Sequence, residues 1–115
     1  MKLRMQRIEP DVVLVEHVGE IHLALEDSAR DQLAPILGEG CYANRVLLDL
    51  SNCGYIDSAG IGWLMVCFKR FKTAGGRFVI HSATPMVQEV LNFLRIPTII
   101  PTRPDEASAL AAARA

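Results

Sequence analysis

Apolar residues along the chain fall into five short runs, with longer amphipathic stretches between the later ones. The runs are rich in Val, Ile and Leu and are bounded by turn-forming residues, which is typical of β-strands. They are Leu3–Ile8, Val12–Val18, Arg45–Leu50, Arg77–His81 and Thr98–Ile100. Only a turn sequence, Glu9-Pro10-Asp11, separates the first two runs, so they predict a hairpin.

Four segments carry apolar residues at helical spacing and alternate with the later strands. They are Leu23–Leu37, Ala59–Thr73, a segment opened by Thr84-Pro85 and ended by Pro97, and Asp105–Ala113. Pro35 is expected to kink or shorten the first helix, and Gly75-Gly76 is expected to end the second. Thr84 has the residue type and position of an N-cap, with a proline at the first helical position after it.

The apolar pattern also predicts which face of the two central helices packs against the sheet. In the second helix the predicted core face is Ile61, Leu64, Met65, Phe68 and Phe71. Trp63, Val66 and Cys67 would then lie largely on the other side, beside Arg70. Either the helix is buried on both sides, or Trp63 and Val66 form an exposed patch of the kind that marks partner sites, and the patch is the favoured interpretation. In the third helix the predicted core face is Met86, Val90, Phe93 and Leu94.

The predicted order of elements is β-β-α-β-α-β-α-β-α. Strands that alternate with helices imply parallel connections with right-handed crossovers, and the opening hairpin adds one antiparallel pair. We therefore expect an α/β fold with a mixed, mostly parallel sheet packed against helices. No linker or repeat divides the sequence, so residues 1–115 are expected to form one domain.

Composition and charge narrow the class of protein. The net charge of −1 argues against a nucleic-acid partner, which would call for a clustered basic excess. No signal peptide and no apolar run long enough to cross a bilayer is present, so a cytoplasmic location without membrane insertion is expected. Three cysteines at irregular spacing fit buried thiols, and neither a metal nor a cofactor is expected.

The stretch with most chemical interest is the loop Ser51–Asp57 and the helix start after it. Ligand sites in open α/β sheets lie beyond the carboxyl ends of strands, where this loop is expected. Ser58 fits two roles equally well. It can be an N-cap whose hydroxyl accepts a first-turn N–H, or a phosphate acceptor, because a helix N-terminus stabilises an added negative charge.

A third role for Ser58, as a hydrolytic nucleophile, is disfavoured. The glycine that precedes the serine of a nucleophile elbow is absent, because Asp57 stands directly before Ser58. His17, His22 and His81 are the available bases, and a histidine in a strand is more often structural. We therefore expect the protein not to be an enzyme.

Several segments together resemble the STAS domain, found in anti-sigma factor antagonists and sulphate transporters. The resemblance rests on Leu47–Ser51, Tyr55–Gly62, Lys69–Arg77, Val87–Leu91 and the closing helix at Glu106-Ala107. It covers essentially the whole chain. It implies the same element order as the apolar pattern.

The resemblance implies a bacterial regulator that binds an anti-sigma factor with serine-kinase activity, of the histidine-kinase-like (GHKL-type) ATPase class. In such members the kinase phosphorylates a serine and a phosphatase restores binding, and that serine corresponds to Ser58 here. His22 occupies the place of an aspartate that the family commonly has near the phosphorylated serine. The expected partner-binding residues are His22, Asp57, Ser58, Ala59, Gly60, Gly62, Trp63, Val66, Cys67 and Arg70.

The same resemblance leaves another function open. STAS-like domains also serve as non-switching subunits of lipid-transporting ABC systems and as scaffold components of stress-signalling complexes. In those roles Ser58 would stay unmodified.

Overall fold

A five-stranded sheet with strands in sequence order forms the centre of the fold. The structure is a computed structural model, and it describes residues 2–21 and 30–115. The strands are β1 (Leu3–Glu9), β2 (Val12–His17), β3 (Arg45–Asp49), β4 (Arg77–His81) and β5 (Thr102–Arg103). β1 is antiparallel to β2, and every later pairing is parallel. The predicted mixed, mostly parallel sheet is confirmed.

Helices cover both faces of this sheet. They are α1 (Ala34–Leu37), α2 (Ser58–Ala74), α3 (Pro85–Phe93) and α4 (Glu106–Arg114), with 3-10 helices at Glu39–Ala43 and Ile96–Thr98. The larger core lies between the sheet and the α2 and α3 helices, and a smaller one lies under α4. In β3, Val46 and Leu48 enter the larger core and Leu47 the smaller one, because successive side chains of a strand point to opposite faces. β3 is therefore buried on both faces, as its continuous apolar run predicts.

The predicted helix at Leu23–Leu37 is confirmed only for its last turn and is wrong at residues 30–33. Residues 22–29 lie outside the described part of the chain, residues 30–33 are not helical, and α1 is a single turn. The Asp31 carboxylate accepts the N–H groups of Leu33 at 3.1 Å and Ala34 at 2.9 Å, so the helical turn of α1 begins after Asp31. Pro35 lies in the first turn of α1, where its missing N–H costs nothing, so it begins a helical turn instead of ending one.

The predicted last strand at Thr98–Ile100 is also wrong. Ile96–Thr98 is a 3-10 helix, and β5 begins only after Pro101. Two apolar residues of this segment, Ile96 and Ile100, are buried in the core, while Ile99 between them is exposed. Buried residues four positions apart are typical of a helical turn. The three consecutive residues Thr98–Ile100 predicted a strand instead because the run is too short to show that spacing.

The predicted core face of α3 is wrong in a similar way. Val87 and Leu91 are the buried residues of this helix, whereas Met86 is 58% and Phe93 86% exposed. Val90 is half-buried and Leu94 is exposed. Thr84 is the N-cap as predicted, and its hydroxyl also donates to the Cys53 carbonyl at 2.9 Å. This bond ties the start of α3 to the loop that precedes α2.

Candidate functional site

The start of α2 is capped by Asp57, one residue earlier than expected. The Asp57 carboxylate accepts the Gly60 N–H at 2.7 Å, and its backbone is extended, as an N-cap requires. Of the two roles left open for Ser58, that of N-cap is therefore not the one it has. Ser58 is the first helical residue and is exposed, and its hydroxyl makes no hydrogen bond to any other described residue. Because Asp57 does the capping, the Ser58 hydroxyl is available for chemistry.

The loop before α2 is held in place by backbone pairing with the segment after β2. Gly19 N–H donates to the Asn52 carbonyl at 3.0 Å, and Ile21 N–H donates to the Tyr55 carbonyl at 2.8 Å. In return Asp57 N–H donates to the Ile21 carbonyl at 3.1 Å. These bonds bring residues far apart in sequence to one edge of the sheet, beyond the carboxyl ends of β2 and β3.

Gly60 is required where α2 meets this paired segment. A Cβ at this position would lie 2.6 Å from the Ile21 side chain and 2.7 Å from that of Ile56. Contacts this short force a shift of the neighbours. The glycine therefore lets the first turn of α2 dock closely on the loop that presents Ser58.

Four exposed residues surround this helix start, and we name them the Ser58 rim. They are Glu20, Gly54, Tyr55 and Ser58. Tyr55 is 39% exposed, and its ring is apolar with a polar tip, as is common in binding surfaces. Sequence reasoning did not single out Glu20 or Tyr55. The backbone pairing between their segments brings them together, and a single sequence gives little signal of it.

The predicted core face of α2 is confirmed for Ile61, Leu64 and Phe71, and Met65 and Phe68 are half-buried against the core, but the opposite face differs from the prediction. Trp63 and Cys67 were expected there among the partner-binding residues, but both are fully buried in the larger core with Leu64 and Phe71. The stripe facing the sheet is thus Gly60, Trp63, Leu64, Cys67 and Phe71. Burial raises the pKa of the Cys67 thiol to about 12, so this group is neither ionised nor accessible.

The outward stripe of α2 keeps other predicted partner residues. It runs from Ser58 through the half-buried Gly62 and Val66 to the exposed Lys69 and Thr73. Sequence reasoning missed Lys69, although its position eleven residues after Ser58 places both on one helix face. Ala59 and Gly60 lie on the core side and are buried, so neither offers a side chain to a partner.

Arg70 lies at the flank of this stripe and is held by internal contacts. Its guanidinium lies 3.4 Å from the Tyr42 hydroxyl and 3.3 Å from the Asp31 carboxylate. Tyr42 in turn donates to Asp31 at 2.5 Å. Burial alone would raise the pKa of Asp31, but the Tyr42 hydroxyl and the N–H groups at the start of α1 lower it. These contacts tie α2 to the 3-10 helix Glu39–Ala43 and to the segment before α1.

The two histidines in the described part of the chain have structural contacts. His17 Nδ1 lies 3.1 Å from the Gly19 carbonyl, and its Nε2 accepts the Lys2 N–H at 3.3 Å. His81 Nδ1 lies 2.8 Å from the Ser82 hydroxyl. Neither is hydrogen-bonded to Ser58, so these residues do not form the serine–base pair of a hydrolase. His22, the third candidate, lies outside the described residues.

Among residues 2–21 and 30–115, no helix is both long and apolar enough to cross a membrane. Within the same residues, no group of three or more metal-binding side chains converges.

Comparison with known proteins gives one family and several similar folds. The sequence pattern of the STAS domain matches residues 4–109. BtrV of Bordetella bronchiseptica, provisionally described as an anti-sigma factor antagonist, is 29% identical over 112 residues, spanning 97% of this chain and 94% of that protein. An anti-sigma factor antagonist from Mycobacterium paratuberculosis has a similar structure, with a TM-score of 0.77, 17% identity and coverage of 99% and 96% of the two chains.

SpoIIAA of Bacillus, an anti-sigma factor antagonist, shares this fold in two forms. Its unphosphorylated structure gives a TM-score of 0.64 at 18% identity, covering 98% of this chain and 96% of that one. Its phosphorylated structure gives 0.63 at 17% identity, covering 96% and 98%. The family pattern spans nearly the whole sequence, and the strand order and helix placement agree with it. The chain belongs to the STAS domain family.

Proposed function

We propose that this protein is an anti-sigma factor antagonist that binds its partner through the Ser58 rim and the outward stripe of α2. Phosphorylation of Ser58 by a kinase partner of the histidine-kinase-like ATPase class would release the complex, and a phosphatase would restore it. The observation that carries the proposal is the exposed Ser58 hydroxyl at the first position of a long helix, with capping done by Asp57. The naming of BtrV and of SpoIIAA as anti-sigma factor antagonists supports the class of partner.

The physical effect of a phosphate at this position is local. The N–H groups in the first turn of α2 and the helix dipole would stabilise the added charge, so the domain itself would stay folded. At the same time close to two negative charges would appear beside Asp57, Glu20 and the Tyr55 ring. A partner surface packed against this rim would lose contact through desolvation and like-charge repulsion.

A phosphorylation assay tests the site. The protein is incubated with ATP and each candidate histidine-kinase-like ATPase of the source bacterium, and the mass of each product is measured. We expect one added phosphate, lost in Ser58→Ala and retained in Ser51→Ala. Ser51 is the matched control because it is an exposed serine on the same loop.

A binding assay tests the switch separately. We expect Ser58→Ala to bind the anti-sigma factor like the unchanged protein, and Ser58→Asp to bind about tenfold or more weakly, which corresponds to about 1.4 kcal/mol. Ser51→Asp should bind normally. If the protein instead co-purifies with a transporter and Ser58 is never modified, the non-switching subunit role is the correct one and this proposal is wrong.

A further inference from the structure

A cavity of about 330 Å³ lies at the other end of α2 from Ser58. The last turns of α2, the start of β4, the segment before β5 and the last turn of α4 enclose it. Its lining on α2 begins at Phe68 and continues to the end of the helix, and a rise of 1.5 Å per residue puts these positions about 15–25 Å from Ser58. The cavity therefore lies away from the Ser58 rim, and its residues Phe68 and Lys72 neighbour Lys69 and Thr73 at the far end of the outward stripe.

About half of the cavity wall is apolar and partly aromatic, and the other half is polar. The rings of Phe68, Phe71 and Phe78 line it from the α2 and β4 sides, and Ile99 and Ala112 line it from the other side. Phe71 and Phe78 are stacked with ring centroids 5.1 Å apart, so their rings form a continuous aromatic surface. A volume of this size lies at the lower end of the range of small-molecule sites.

Two cations stand at this cavity. Lys72 and Arg77 both line the cavity and are exposed, and no carboxylate of residues 2–21 or 30–115 lines it. The Lys72 ammonium lies 5.7 Å from the centre of the Phe68 ring, so its charge is held over the aromatic wall. Among the described residues neither Lys72 nor Arg77 makes an ion pair. The C-terminal carbonyls of α2 contribute only about half a negative charge, so the two full positive charges prevail.

We propose that this cavity binds a small amphipathic carboxylate, with its alkyl or aromatic body against the phenylalanine rings and its carboxylate at Lys72 and Arg77. An organic cation is disfavoured by the same two charges. A fully polar anion would leave the apolar part of the wall unused. The complex would join α2, β4 and α4 at one point and so stabilise the end of the sheet that the Ser58 rim does not touch.

A titration with sodium octanoate below its micelle-forming concentration tests this proposal. Amide signals are followed by ¹H–¹⁵N NMR, with octan-1-ol and octylammonium chloride as ligands of equal chain length. We expect saturable shifts at Gly75, Gly76 and Arg77 with octanoate, and affinity weaker by about tenfold or more for the other two probes. Octanoate shifts confined to the exposed apolar side chains of α3 would overturn the proposal, as would equal binding of octylammonium.

Variants separate the charge from the cavity. The Lys72→Gln, Arg77→Gln double variant changes only exposed side chains and should weaken octanoate binding by about tenfold. Lys69→Gln removes a charge from the same helix outside the cavity, and its binding should stay within about twofold of the original. Ala112→Leu should abolish binding by filling the cavity. If the double variant binds octanoate as tightly as Lys69→Gln does, the carboxylate site does not exist.

Discussion

α2 and α3 pack on the same face of the sheet, yet the environment of their aromatic residues is opposite. Trp63 of α2 is fully buried, whereas Phe93 of α3 is 86% exposed. From the apolar pattern the reverse was expected for both. In α2 two adjoining apolar stripes both contribute to the core, and Gly60 allows the first turn to approach Ile21 and Ile56.

α3 is shorter and contributes less to the core. Its nine residues bury only Val87 and Leu91, one turn apart. The Thr84 hydroxyl donates to the Cys53 carbonyl and so ties the first turn of α3 to the loop before α2. In this position of the helix, Met86 and Phe93 face solvent. Apolar residues at helical spacing therefore indicate that a helix packs against the core, while contacts with other elements decide which of its faces is buried.

The largest expected difference between the two helices is in the cost of removing an aromatic ring. Trp63→Ala should lower the free energy of unfolding by about 3–5 kcal/mol, because it leaves a cavity in the larger core. Phe93→Ala should change it by less than about 0.5 kcal/mol. Urea denaturation measures both, and equal costs would contradict the assignment of faces. Trp63→Phe should be milder than Trp63→Ala, since the indole N–H has no hydrogen-bond partner among the described residues.

A smaller effect is expected from closing the approach at the start of α2. Gly60→Ala should destabilise the protein by about 1–3 kcal/mol, because its Cβ would overlap Ile21 and Ile56. Gly54→Ala is the matched control on the preceding loop. A Cβ there meets nothing within 4 Å, so its unfolding free energy should stay within about 0.5 kcal/mol of the original. An unchanged unfolding free energy for Gly60→Ala would contradict the close approach of α2 to Ile21 and Ile56.

The N-cap of α2 provides the next test. Asp57→Ala should cost about 1 kcal/mol, since the Gly60 N–H loses its acceptor. Asp57→Asn keeps an acceptor oxygen and should lower the free energy of unfolding by only a few tenths of a kcal/mol. Ser58→Ala should be close to neutral in the same denaturation experiment. A larger loss for Ser58→Ala than for Asp57→Ala would return the capping role to Ser58.

The smallest effect concerns the strands that lead into the two helices. Burial lowers the pKa of His81, at the end of β4, below 6.5, even though Asp49, Asp105 and Glu106 favour its charged form. The unfolded chain therefore takes up this proton first, and stability should fall as the pH drops below about 6.5. His17, also lowered by burial, acts in the same direction.

Asp49, at the end of β3, behaves differently. Burial would raise its pKa, but the hydrogen bonds from Ser51 and Gln6 lower it below 3.8, so its contribution is lost only in stronger acid. Urea denaturation at a series of pH values should show a shallower decline between about pH 7 and 5 for His81→Gln than for the original protein. An unchanged slope would mean that His81 does not titrate in this range.

Much of the candidate site could be expected from the sequence. The strand–loop–helix order placed Ser58 at a helix start beyond a strand end, and the STAS resemblance marked it as the residue of interest. The identity of the cap could not be decided, because Asp57 and Ser58 are both good N-caps and only their backbone conformations distinguish them. The contribution of Glu20 and Tyr55 to the rim depends on pairing between distant segments.

The sequence by itself determined the element order, the mixed sheet and the positions of most helix ends. These features follow from local periodicity, proline and glycine placement and capping chemistry, all of which act within a few residues. Tertiary structure alone decided the buried stripe of α2, the exposed apolar side of α3 and the core positions of Ile96 and Ile100. These choices depend on contacts between elements far apart in the chain, and an apolar side chain favours any core that its backbone can reach.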